Sequence, residues 1–131
     1  MTLDYVHIAD YASVSREGKL SIAGIFQTIF CEKLPALHPQ FFICLQLSVT
    51  DGDIGTRQSM YVRISDPEGK EIFGADGQIN IQEDAKLQPL SLQFRVNGIS
   101  FHAYGPHEVE VTIGNHTVRK LTLNIARLPH G

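Results

Sequence analysis

Six histidines, two cysteines and fourteen acidic residues are the side chains of this sequence able to bind a metal or move a proton. The histidines are His7, His38, His102, His107, His116 and His130. None is spaced from a cysteine or a second histidine as a zinc site requires. His102, His107 and His116 could approach one another across the last strands, although ordinary turn and strand-face roles explain them better. The run Asp51-Gly52-Asp53-Ile54-Gly55 carries alternating carboxylates, and hard cations take several such oxygens from loops. Asp66 and Asp76 sit in other turn-rich stretches. Asp51, Asp53, Asp66 and Asp76 are therefore the candidate calcium ligands, pooled from loops at one end of a β-fold. The bidentate glutamate that closes a twelve-residue calcium loop is missing, and these residues are also ordinary turn formers. The expectation is no metal and no cofactor, with a calcium-assisted ligand-binding module as the alternative.

Thiol chemistry is the other enzymatic option. Cys44 falls in an apolar strand, where a buried thiol is inert. Cys31 ends a strand beside Glu32 and Lys33 and is the more accessible of the two. No family signature surrounds either cysteine. A Gly-x-Ser-x-Gly elbow is absent, and no glycine-rich loop opens a helix to cradle phosphate. The chain is expected not to be an enzyme, and catalysis by Cys31 with a nearby histidine ranks last.

Charge narrows the partners. The net charge is −3, and the strongest basic stretch is Arg119-Lys120. Nucleic acids are held by clustered cations that release counterions, so no nucleic-acid partner is expected. The opening residues have no cationic stretch followed by an apolar run, and no segment is apolar for the length of a membrane span. These features predict a cytoplasmic protein with both thiols reduced and no membrane contact.

The elements that must position these residues are strands. Leu3 to Val14 and Leu20 to Phe30 are rich in β-favouring residues and flank the polar turn Ser15-Arg16-Glu17-Gly18-Lys19. Gly24 interrupts the second run, so the strand is expected to bend there and change sheets. Cys31 to Gln40, with Pro35 and Pro39, reads as a link between sheets. Phe41 to Val49 alternates, with Ile43, Leu45, Leu47 and Val49 on the core face. Arg57 to Ser65 points Met60, Val62 and Ile64 inward, and Asp66-Pro67-Glu68-Gly69 suits a type I turn. Lys70 to Phe73 starts a return strand that Gly74-Ala75-Asp76-Gly77 breaks and residues 78–82 resume. Leu90 to Val96 alternates up to Asn97-Gly98, the strongest hairpin signal in the chain, and Ile99 to Tyr104 follows. Val109, Val111 and Ile113 then lead through Gly114-Asn115-His116 into Thr117 to Ala126. This spacing predicts one all-β domain over residues 1–126 with a short tail at 127–131. The fold class is a two-sheet, immunoglobulin-like (Greek-key) β-sandwich of about eight or nine strands.

Two stretches carry a resemblance. Ala9-Asp10-Tyr11-Ala12-Ser13, Gly18-Lys19-Leu20-Ser21-Ile22 and Gly24-Ile25-Phe26 resemble the opening of a family of small uncharacterised bacterial proteins. In that family an ADYA strand leads through a GKL turn to a GIF strand. The likeness covers roughly the first forty residues. It implies a small cytoplasmic β-sandwich and carries over no catalytic residue. Tyr104-Gly105-Pro106-His107-Glu108-Val109-Glu110-Val111 resembles the penultimate strand of immunoglobulin-like modules, which implies architecture and no ligand.

The segment 20–31 is apolar on both faces. Leu20, Ile22, Phe26 and Phe30 share one face, and Ala23, Ile25, Ile29 and Cys31 share the other. Phe42 and Cys44 likewise oppose the core set of their strand. A sandwich sheet needs only one apolar face, so the second must be covered by the chain itself or by another protein. The sequence therefore predicts a protein-contact surface at Ala23, Ile25, Ile29 and Phe42, used by a homo-oligomer or by an unknown protein partner.

Overall fold

Alternating β-branched and aromatic residues drive most of this chain into strand, and the glycines and polar clusters between them make the turns. A computed structural model describes residues 1–115 and 117–129. Nine strands form among them: β1 (Thr2–Val14), β2 (Leu20–Ile25), β3 (Thr28–Cys31), β4 (Ala36–Ser48), β5 (Arg57–Ser65), β6 (Glu71–Asn80), β7 (Leu90–Phe101), β8 (Gly105–Ile113) and β9 (Thr117–Arg127). One sheet has the order β2-β1-β4-β7 and the other β3-β9-β8-β5-β6. The chain leaves the first sheet after β4, makes the β5–β6 hairpin in the second, and returns as β7 beside β4. This is a Greek-key crossing, and the fold is the two-sheet sandwich expected. All pairings are antiparallel except β3 with β9.

The core lies between the sheets. Phe41, Ile43, Leu45 and Leu47 of β4 face Val62 and Ile64 of β5, Val109, Val111 and Ile113 of β8, and Leu123 of β9, all fully buried. The alternation seen in the sequence puts them there. Asp66 closes the β5–β6 turn, its Oδ1 accepting from the amides of Glu68 and Lys70 at 2.9 Å each.

Gly24 adopts φ +74°, and a Cβ there would lie 2.6 Å from Asp10 Oδ2. Only glycine suits that backbone and that approach. The chain turns out of the first sheet beyond it, so β2 and β3 belong to different sheets as the glycine break suggests.

Three expectations are corrected. Asn97-Gly98 is not a turn, because β7 runs through it and keeps its register with β4 from Leu90 to Phe101. Gly98 takes φ +63° inside the strand, and partnership with β4 outweighs the local hairpin signal. Gly74-Ala75-Asp76-Gly77 does not break β6, which pairs with β5 from Glu71 to Asn80. Strand β6 is at a sheet edge, where poor strand formers are tolerated. The inter-sheet link is also shorter than 31–40: β4 begins at Ala36 and accommodates Pro39 where only β7 pairs with it, β1 having left at Ala9↔Phe42. At the other end of the chain, β9 runs to Arg127, and the Leu128 amide donates to the Cys31 carbonyl at 3.1 Å. The chain thus stays attached to the sheet past residue 126.

Substituting Gly24→Ala is expected to destabilise the fold by about 1–3 kcal/mol, from a left-handed backbone plus the clash with Asp10. Urea unfolding measures it.

Candidate functional site

The two apolar faces of segment 20–31 have different fates. Strand β1 pairs with β4 only as far as Ala9, then pairs with β2 alone. The β1–β2 hairpin therefore leaves the sheet and lies back over its outer face. Ala12 is buried there with Ala9, Phe42 and Cys44, and Leu20 and Ile22 pack against them. The hairpin tip reaches the start of β7, where Gln88 Nε2 donates to the carbonyls of Gly18 at 3.0 Å and Glu17 at 3.4 Å. Phe42, expected on a contact surface, is only 5% exposed, because the chain's own hairpin covers it. Tyr11 lies edge-on to it, with ring centroids 5.8 Å apart.

Ala23 and Ile25 face solvent instead. Ile25 is 55% exposed, and so is Phe30; Tyr11 is 54% and Leu37 67% exposed. Tyr11 is the cross-strand neighbour of Ala23, and Ala9 of Ile25. Beyond Gly24, residues 25–31 cross from β2, the edge strand of one sheet, to β3, the edge strand of the other, and run along one rim of the sandwich. A shallow groove of about 390 Å³ opens on that rim, lined by Asp10, Phe26, Thr28, Ile29, Phe30 and His38. Its floor is an aromatic cluster: Phe26 is 6.1 Å from Phe41 and 6.2 Å from His38, centroid to centroid. Ile29 packs against the main core and is half-buried. The sequence puts Phe30 on the face opposite the expected contact set, and it points to neither Tyr11 nor Leu37. The crossing after Gly24 turns Ile29 inward and Phe30 outward, and the Gly24 break was the only signal of that.

The candidate calcium ligands do not converge. Asp51 and Asp53 lie in a 3-10 turn (Asp51–Asp53) before β5, whereas Asp66 lies after it. Nine strand residues separate the two ends of β5, roughly 30 Å at strand rise. Asp76 sits within β6 opposite Tyr61. Asp53 Oδ2 accepts from the Thr50 amide at 2.8 Å and hydroxyl at 2.9 Å, and faces the Met1 ammonium at 3.2 Å. These contacts, the Thr50 amide first, hold its carboxyl below the usual range. Among the described residues no three of His, Cys, Asp and Glu gather as a metal would require.

The histidines are equally dispersed. His102 is exposed between β7 and β8. His107 is 1% exposed in the core, edge-on to Phe101 at 5.2 Å, with Nδ1 3.1 Å from the Gly105 carbonyl. His116 and His130 lie outside the described residues. Cys31 is half-buried at the end of β3, and no disulfide joins it to Cys44. No helix among the described residues is long and apolar enough to cross a membrane.

Residues 4–126 match the model of a family of unknown function, DUF6941. The chain belongs to that family. No curated protein matches the chain.

In this DUF6941 protein the clearest electrostatic mark of the hairpin's cover is on Cys44, whose thiol burial pushes up to about 11 from 9.0. The sign follows from which state ionises first. Below pH 9 the thiol is protonated in both states and adds no pH dependence. Between about 9 and 11 the unfolded chain loses its proton and the folded chain keeps it, so stability falls as pH rises. Urea midpoints measured from pH 8 to 11 are expected to fall less steeply for Cys44→Ala than for the wild type.

Proposed function

We propose that this protein acts through protein contact, chiefly with a second copy of itself, along the β2–β3 rim. One observation carries the reading: Ile25 and Phe30, each 55% exposed, end β2 and occupy β3 where the chain crosses the edge, and Phe30 lines the groove there with Phe26 and Ile29. Exposed large apolar side chains scattered singly are normal, whereas a contiguous set marks an interaction surface. The rim is also the end of both sheets, so its outer backbone groups are free to bond another strand. Two rims related by a two-fold axis would match apolar surface with apolar surface.

The size is reasonable. A standard interface takes about 800 Å² from each partner, which is roughly a tenth of this protein's 7745 Å². Neither the calcium reading nor the Cys31 reading gains a supporting geometry among the described residues.

Light scattering over a wide dilution series tests the proposal. The wild type is expected to dimerise reversibly, and Ile25→Glu to weaken the dimer at least tenfold. The unfolding midpoint of the variant monomer should change little, because Ile25 is 55% exposed. A wild type that stays monomeric at high concentration would remove self-association. A variant that fails to fold would make Ile25 a structural residue.

A further inference from the structure

We infer that the β1–β2 hairpin, residues 10–25, is a hinged strap that opens as a unit and bares the outer face of β4 while the sandwich stays folded. This inference does not rest on the rim's being a contact surface, although Tyr11, Ala23 and Ile25 belong to both.

Three features separate the strap from the body. After Ala9, β1 shares no ladder with β4, so the residues beyond it bond only to their own partner strand. The apolar contact beneath the strap is a small cluster of its own: Ala9, Ala12, Phe42 and Cys44, flanked by Leu20 and Ile22 and distinct from the core between the sheets. At the tip, one exposed side chain, Gln88, supplies the polar tie to the Glu17 and Gly18 carbonyls. Local openings are favoured where few buried apolar contacts hold a segment. The two strands of the strap join the body where Asp10 faces Gly24, the φ +74° glycine. A glycine there can absorb a change of backbone angle that other residues would resist.

What opening exposes is an apolar strip with a cation beside it. Phe42 and Cys44 are buried in the closed form, and their cross-strand neighbours on β7 are the exposed Arg95 and Gln93. The same movement displaces Tyr11, Ala23 and Ile25. The closed strap therefore presents the rim residues in their present arrangement, and the open strap presents the β4 face.

Cys44 reports the motion, because it is wholly buried beneath the strap. The test is the rate at which dithionitrobenzoate labels Cys44 in a Cys31→Ser background, measured at increasing low urea. The strap account expects labelling through an opening whose urea dependence is much weaker than that of global unfolding. Gln88→Ala, an exposed change, is expected to speed labelling about three- to tenfold by removing two hydrogen bonds. It should leave the global unfolding midpoint in place. Labelling that follows the free energy and urea slope of global unfolding would overturn the inference. So would a Gln88→Ala variant that labels at the parent rate.

Discussion

Strand β4 must be buried twice. Phe41, Ile43, Leu45 and Leu47 point into the space between the sheets, and Phe42 and Cys44 point out of it, all nearly inaccessible to water. A sandwich covers one face of each sheet and leaves the other to solvent. Burying a side chain the size of Phe42 stabilises by about 1.5–3 kcal/mol, so the outer cover is a real but local contribution beside the core between the sheets. The chain meets the requirement by making β1 long, detaching it from β4 after Ala9, and laying the β1–β2 hairpin over the outer face.

That solution sets what remains at the surface. Leu20 and Ile22 are spent covering Phe42 and Cys44. Gly24 then releases the chain from the first sheet, and Thr28–Cys31 joins the second beside β9. Two apolar residues that neither layer uses, Ile25 and Phe30, are left along the rim where the crossing occurs. The proposed contact surface is thus a by-product of how the outer face is covered. The two devices share one short segment, which is why a movement of the strap would also rearrange the rim.

Much of this architecture is legible in the sequence. The alternation in 41–49, 57–65, 90–96 and 109–113 places the core residues on the correct face, and Asp66-Pro67-Glu68-Gly69 is a turn as its residue types demand. The misreadings share a cause. Asn97-Gly98 and Gly74-Ala75-Asp76-Gly77 have strong local turn chemistry, and strand pairing overrides it: Asn97 is held opposite Gln40 of β4, far away in sequence, and Gly74 to Gly77 are held in the hairpin with β5, opposite Arg63 to Met60. The excess apolar surface of segments 20–31 and 41–45 was legible as a demand for cover. Its answer was not, because the register at which β1 leaves β4 is a tertiary fact. The alternating carboxylates of Asp51 and Asp53 show the converse: Asp53 is taken up by its own turn and by the Met1 ammonium, while Asp51 stays in solvent with Lys86 3.9 Å away.

The chain covers the outer face of β4 itself, and the β2–β3 rim is the surface proposed to meet another copy. Amide hydrogen exchange of the wild type at low and high protein concentration tests it most directly. The account predicts added protection at residues 23–31 as concentration rises, with no change at residues 42–45. Added protection centred on 42–45, with the 10–25 hairpin exchanging faster at the same time, would mean that a second molecule displaces the hairpin and binds the β4 face. That result would contradict the account.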